Sequence, residues 1–461
     1  MPQAEYTETV IIGAGQQGCG AAASLHEQGR DYLVLERGEI GQAWGHERWD
    51  SLRVGSGNRS VRFPGWHYDG DDPDGFMPGR ELARHLRRYA HDRALRVRQH
   101  TTVRRVECPP HTRDRDPVRF TTHLSGGEIL TSRNLVVAIG GYAAPRIPAL
   151  ATDLDPSLTQ IHSHHYRNPP SLPDGAVLVV GAGISGQQIA DELADAGRRV
   201  FLSVGRHHAW PRHYRGRSLH AWMSVFALEE KYVTVDATRT GALPGLPVAA
   251  VQDGTGDLNL STLARKGVTL TGSLRAATGH TLLLQDNVLA IAEASARSFQ
   301  HIIDTIDTGI RERGFPVPPQ HPAPAVDMNH ITPYADHLDL TRHGITTLIW
   351  CTGFGPDYRI LPAHVLDAHG APLQRGGILG ALPGLYYAGL PDGDSLAPVA
   401  IGANVENGRF IAHQIHTDHL MRATATAPPG PSGRDQAHGP RAHDTSRQVS
   451  RRCPGTGRPR R

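Results

Sequence analysis

Three features of this 461-residue chain predict an α/β fold with two parallel-sheet units, one inserted into the other. The pattern Gly-x-Gly-x-x-Gly occurs twice, at Gly13, Gly15 and Gly18 and again at Gly181, Gly183 and Gly186. Each copy follows an apolar run that suits a strand buried on both faces, and each precedes a helical pattern and a second apolar run. A further apolar run, Thr346–Trp350, ends in the small residues Cys351-Thr352-Gly353 before the chain turns toward a late strand at Leu385. Strand, glycine turn, helix and strand make a Rossmann-like dinucleotide-binding domain. Glycine lets the backbone turn tightly and approach a pyrophosphate, and the helix N-terminus offers free N–H groups.

In chain order, Thr9–Ile12 is the first strand, Ala21–Leu25 lies on the first helix, and Tyr32–Leu35 is the next strand. That strand ends at Glu36, 23 residues after Gly13, where a carboxylate accepts hydrogen bonds from the ribose hydroxyls of an unphosphorylated adenosine. Arg37 beside it is a further contact candidate. Residues 79–91 read as an amphipathic helix with Leu82, Leu86 and Tyr89 inward. Alternation predicts strands at 95–107, 117–124 and 128–131, with Asn134–Ile139 a separate buried strand leading into Gly140.

The second copy in the same register gives a different answer. Val204 stands 23 residues after Gly181, and Gly205-Arg206-His207 follow. The acid is missing, and an arginine can grip a 2′-phosphate bidentately. The first site is therefore expected to take FAD or NAD, and the second NADPH, with Gly181, Gly183, Ser185, Gly186 and Arg206 as its contacts. Arg212, Arg215 and Arg217 continue a basic loop that reads equally well as a solvated one. Two dinucleotide sites in one chain suggest that one cofactor is held while the other delivers hydride to it. Residues 217–260 read as irregular structure or a lid, 267–284 as short strands, and 285–314 as an amphipathic helix packed over the nucleotide domain. A proline-rich linker spans 315–333, and Gly402 opens the last helix.

Further motifs narrow the family. They are Trp44-Gly-His-Glu-Arg48-Trp49-Asp50-Ser51-Leu52, then Ser56-Gly57-Asn58 and Phe63-Pro64-Gly65, then Ala138-Ile139-Gly140 and His162 to Tyr166. Cys351-Thr352-Gly353-Phe354 with Asp357-Tyr358, and Pro383–Leu390, complete them. Over residues 8–420 the chain resembles the class B flavin-dependent monooxygenases, which include the flavin-containing monooxygenases and the Baeyer–Villiger enzymes. It departs from their pattern at Pro156 and Leu158, where Phe and Gly are usual, and at Ser56-Gly57, where Thr-Pro is usual. The resemblance implies FAD in the first unit, with Trp44 beside it and Asn58 as the catalytic amide at its reactive edge. Thr352 and Gly353 are implied to lie close to cofactor. It also implies that NADPH reduces the flavin and that a C4a-hydroperoxyflavin passes one oxygen of O2 to a small organic substrate, by N- or S-hydroxylation. Baeyer–Villiger oxidation and oxidative decarboxylation of an aryl-pyruvate are the alternatives within the class. A non-catalytic flavin- or nucleotide-binding regulatory protein is the alternative outside it. A disulfide reductase of related fold is disfavoured by the lack of a cysteine pair.

Composition bounds the rest. A formal net charge of +3 does not argue for nucleic acid, and no apolar run approaches the ~18 residues of a membrane span. The start of the chain runs almost directly into a strand, so no secretory signal is expected. Cys19, Cys108, Cys351 and Cys453 are scattered, and the histidines at 162, 164, 165, 207, 208 and 213 lack metal-ligand spacing, so no metal is expected. The expected location is cytoplasmic and the partners are a small-molecule substrate and O2, with a homodimer left open. Residues 1–172 and 356–422 are assigned to the FAD-binding domain, 173–355 to the NADPH-binding domain and 423–461 to a disordered tail.

Overall fold

In the computed structural model, residues 4–110, 116–226, 256–319, 326–355, 357–390 and 401–426 are described. The first sheet places Leu385–Tyr387, Ile129–Val137, Glu5–Ile12, Tyr32–Leu35 and Val97–Arg98 side by side, all parallel. An antiparallel pair, Val103–Glu107 and Phe120–Leu124, joins it along Ile129–Val137. The second sheet is parallel throughout, in the order Thr159–His162, Ile345–Trp350, Ala176–Val180, Val200–Ser203 and Thr269–Thr271. Both central strands, Glu5–Ile12 from residue 7 on and all of Ala176–Val180, are buried. That is the pattern of strands covered on both faces, and it explains their unbroken apolar runs.

Each sheet separates two cores. On one face of the first, the helix Gln16–Glu27 packs with the last helix, Asn404–Thr426. A Cβ at Gly408 would sit 2.5 Å from the Gly20 carbonyl oxygen, so these two helices touch backbone to backbone. On the second sheet, helix Ile184–Asp195 covers one face. The three-stranded antiparallel sheet Leu274–Thr278, Thr281–Leu284 and His337–Asp339 covers the other.

Three features differ from the sequence expectation. The strands expected at 128–131 and 134–139 are one nine-residue strand, Ile129–Val137. Its polar middle is buried because tertiary partners accept it: Arg133 reaches Asp418 on the last helix, and the Asn134 amide donates to Thr9 Oγ1. The second sheet takes its edge strand from Thr159–His162, ahead of residue 173, because that segment pairs with Ile345–Trp350 from far along the chain. The helix Val288–Arg313 joins the nucleotide unit's core through its start, at Val288, Leu289, Ile291 and Ala292. From Phe299 to Ile310 it packs instead on Ala209, Trp210, Tyr214 and the short helix Leu219–Phe226. The tail beyond residue 426 and the stretch 227–255 of the expected lid lie outside the described residues. No helix among the described residues is long and apolar enough to cross a membrane.

The glycine turns carry a direct test. A Cβ at Gly186 would collide with the Gly181 carbonyl, whereas one at Gly183 would meet nothing within 4 Å. Gly186→Ala is expected to destabilise the fold by about 1–3 kcal/mol. Gly183→Ala is expected to move the thermal midpoint by no more than about 2 °C while weakening nucleotide binding. Equal midpoint shifts in the two variants would contradict this assignment.

Candidate dinucleotide-binding site

The two glycine turns are copies of each other in detail. Gly13 and Gly181 have φ of 104° and 106°, backbone that an L side chain rarely adopts. A Cβ on either would lie 2.6 Å from the carbonyl oxygen of the next strand's end, Ala138 in one unit and Cys351 in the other. The small residues Ala138 and Cys351 are therefore equivalent, and each permits the same close passage. Gly15 and Gly183 are the N-caps of helices Gln16–Glu27 and Ile184–Asp195, neither has a side-chain cap, and both face open space. Ser185 lies in the first turn of the second helix. Uncapped N–H groups at a helix start, beside room that no Cβ fills, fit a pyrophosphate. Both turns sit at the carboxyl ends of parallel strands, where open α/β sheets bind ligands.

The residues that separate the two sites behave differently. Glu36 is buried, and its carboxylate accepts from the Ala14 N–H at 2.7 Å and the Gly38 N–H at 3.0 Å. A carboxylate has lone pairs beyond these two bonds, so Glu36 can brace the turn and still receive ribose hydroxyls. In the second unit Val204 is fully buried and Arg206 is exposed. Arg206 carries no ion pair or hydrogen bond within the described chain. There the turn is braced through its carbonyl instead. Gln187 Nε2 donates to Ala182 O at 3.0 Å, and His207 Nδ1 lies 3.3 Å from the same oxygen.

Between the units the chain crosses twice, and the crossings pair with each other. Ala144–Pro145 and Phe354–Gly355 form a two-stranded antiparallel ribbon. The Gly353 carbonyl accepts from the Arg146 N–H at 3.0 Å and from His162 Nε2 at 2.9 Å, and the Thr352 hydroxyl donates to Arg146 O. With His162 Nδ1 accepting from the His164 N–H, the imidazole is neutral and fully used. Burial pulls its pKa down to about 4. Thr352 and Gly353, expected as cofactor contacts, thus also hold this crossing together. Trp44 donates to Gln16 Oε1 at 3.0 Å and packs against the cores of both units. Arg37 is exposed and paired with Glu47. Asn58 is buried, with its amide donating to Asp72 O and accepting from the Met77 N–H, both at 2.8 Å. In this arrangement both ends of the Asn58 side chain serve the loop 57–77.

Two groups were not singled out from the sequence. Glu192 lies on the buried face of the second fingerprint helix and accepts from Tyr166 Oη at 2.8 Å and from Ser51, so the Trp44–Leu52 segment is tied to the second unit. Its signal was an acid beside Ile189 and Leu193, where an apolar residue is usual. In the sequence Arg48 stands out only as one position of a motif, yet in the fold it stacks on two aromatic rings at the crossing. Among the described residues no group of His, Cys, Asp and Glu gathers as a metal site.

The chain from residue 10 to 230 matches the family described as pyridine nucleotide-disulphide oxidoreductase. It is 26% identical to an uncharacterized oxidoreductase, CzcO-like, of Geobacillus kaustophilus, over 83% of this chain and 91% of that protein. It is 29% identical to the indole-3-pyruvate monooxygenase YUCCA1 of Oryza sativa, over 47% of this chain and about half (54%) of the rice protein. Among solved structures, a flavin-containing monooxygenase from Stenotrophomonas maltophilia matches with a TM-score of 0.61 at 18% identity, covering 90% of this chain and 99% of that one. A cyclohexanone monooxygenase from Rhodococcus sp. Phi1 bound to NADP+ matches with a TM-score of 0.52 at 17% identity, covering 91% and 85%. At these identities the structures establish the two-unit fold.

The buried imidazoles generate a pH prediction. His162 and His207 are both pulled by burial to about 4, below their ordinary value of 6.5. The folded chain therefore binds fewer protons than the unfolded chain between those values, and stability falls as pH drops through that window. The thermal midpoint should fall between about pH 7 and about pH 5, and fall less in a His162→Gln/His207→Gln variant that can still donate to Gly353 and Ala182. The same pH dependence in both proteins would rule these histidines out as its source.

Proposed function

Because the chain is a class B flavin monooxygenase-like oxidoreductase, we propose that it binds FAD at the first glycine turn and NADPH at the second, and transfers one oxygen of O2 to a small organic substrate. The observation that carries the proposal is the pair of matching turns with unlike second-strand ends: a buried acid at Glu36, and buried Val204 followed by exposed Arg206. The amides of the turn around Gly13, Gly15 and Gly18 would receive the FAD pyrophosphate, and Glu36 the adenosine ribose. Gly181, Gly183, Ser185 and Gly186 would do the same for NADPH, with Arg206 on its 2′-phosphate. When bound, the flavin supplies the redox chemistry, taking hydride and activating O2. The protein contributes placement and shelter: the ribbon at 144–145 and 354–355 sets one unit against the other, and Trp44 seals the seam between their cores.

Substrate oxygenation at nitrogen or sulfur is the first reading. Decarboxylation of an aryl-pyruvate is the second, and the similarity to the rice indole-3-pyruvate monooxygenase favours it. Thiol–disulfide exchange is a poor fit to this chain. Cys19 and Cys108 are buried with thiols pushed up to about 12 and about 11, Cys351 is raised further by burial, and no two of them pair. A thiolate nucleophile needs the opposite environment.

The purified protein should be yellow and consume O2 on addition of NADPH. A colourless protein that takes up no FAD would remove the basis of the proposal. Arg206→Glu should raise the KM for NADPH by at least about tenfold and leave that for NADH within about twofold, since only NADPH carries the 2′-phosphate. Equal effects on the two nucleotides would reassign Arg206 and leave the FAD site untouched.

A further inference from the structure

Arg48 is held between the two units from both sides. On one side, the Gly41 N–H donates to Ala14 O in the first glycine turn, and Trp44 is bonded to Gln16. On the other, Trp49 lies in the second unit's core, and the Asp50 N–H donates to Arg167 O. The Arg48 guanidinium lies 4.7 Å from the ring centroid of Tyr142 and 5.3 Å from that of Phe354. Tyr142 follows the strand end that passes Gly13, and Phe354 follows the one that passes Gly181. The arginine is therefore at the place where the carboxyl ends of both sheets converge.

The half-buried guanidinium has no anion bonded to it. Among the described residues no carboxylate is within ion-pair distance of it and no carbonyl accepts from it; Glu47 attracts it and His164 only from further off, and its own ion pair is with Arg37. Desolvation is the largest influence on its charge. Two aromatic faces offset only part of such a cost. They also leave the planar fork of N–H donors unused. Beside it, the His164 ring lies 6.0 Å from Phe354, and its Nδ1 is buried without a hydrogen-bond partner. An unused cationic fork and an unused ring nitrogen thus flank one phenylalanine. A planar carboxylate on an apolar body satisfies both groups and packs on the rings.

We propose that Arg48 and His164 form an anion subsite between the two glycine turns, and that it takes the carboxylate of a small organic acid substrate. The nucleotide phosphates have receptors elsewhere, at the helix starts after Gly15 and Gly183 and at Arg206, whereas Arg48 belongs to neither turn. Calling the acid a substrate rests on the oxygenase reading, while the anion site itself does not.

The test is calorimetric titration of the FAD-loaded protein with benzoate and with benzamide, which share a ring and differ in charge. The wild type should bind benzoate at least about tenfold more tightly than benzamide. Arg48→Met should raise the benzoate Kd about tenfold and leave the Kd values for benzamide and NADPH within about twofold, with Arg48→Lys recovering part of the loss. Retained flavin absorbance reports that the variants are folded, and the wild-type comparison stands without them. Wild-type protein that binds both probes equally, or neither, overturns the proposal. So does an Arg48→Met variant that loses NADPH affinity and keeps benzoate, since the arginine then serves the nucleotide. Failure of the oxygenase reading looks different: benzoate discrimination persists with no NADPH-driven O2 uptake.

Discussion

The rest of the molecule depends on the approach of one backbone to another at two glycines. Gly18 and Gly186 bring a helix so close to its own turn that an added Cβ would overlap the carbonyl of Gly13 or Gly181. That contact seats each helix on its sheet, aims its uncapped N-terminus across the strand ends, and leaves Gly15 and Gly183 facing open space. A side chain at either close position would separate helix from sheet, because packed interiors have no slack for an extra methyl group. The same contact fixes what the neighbouring strand can end in, and so Ala138 and Cys351 are small.

Two copies of one turn do not make one site. Their individuality comes from what closes the turn from the side. A buried carboxylate braces the first through a backbone N–H, and an amide and an imidazole brace the second through a carbonyl. The first brace keeps negative charge beside the pocket and suits ribose hydroxyls. The second is neutral and leaves an unpaired arginine at the rim. Cooperation between the units then depends on the double crossing, where the Gly353 carbonyl is bonded by the Arg146 N–H just beyond the ribbon and by the His162 imidazole. The Trp44–Leu52 segment adds a third tie by contributing side chains to both cores and a hydroxyl to Glu192.

The legible parts were those with short-range causes. Apolar runs, glycine spacing and the acid at Glu36 announced both sheets' central strands and both turns, since each reflects a rule operating within about thirty residues. The strand Ile129–Val137 reads as two in the sequence because its buried Arg133 and Asn134 look like a break until Asp418 and Thr9 arrive as their partners. Asn58 shows the same limitation for a site residue. A loop asparagine can aim at a ligand or bind its own loop, and its partners at Asp72 and Met77 become visible only once the chain is folded.

By itself the sequence determined the fold class, the number of dinucleotide turns and the difference between an acid-ended and an arginine-followed second strand, because these follow from backbone conformation and local charge. Only the tertiary structure decided how the units are joined and which polar side chains are left over. Arg48 is ordinary in the sequence, one of many arginines. It becomes distinctive when residues about ninety and three hundred positions away supply two aromatic faces and no hydrogen-bond acceptor reaches its donors. Whether a charge is satisfied depends on everything within a few ångströms of it, and chain order does not carry that information.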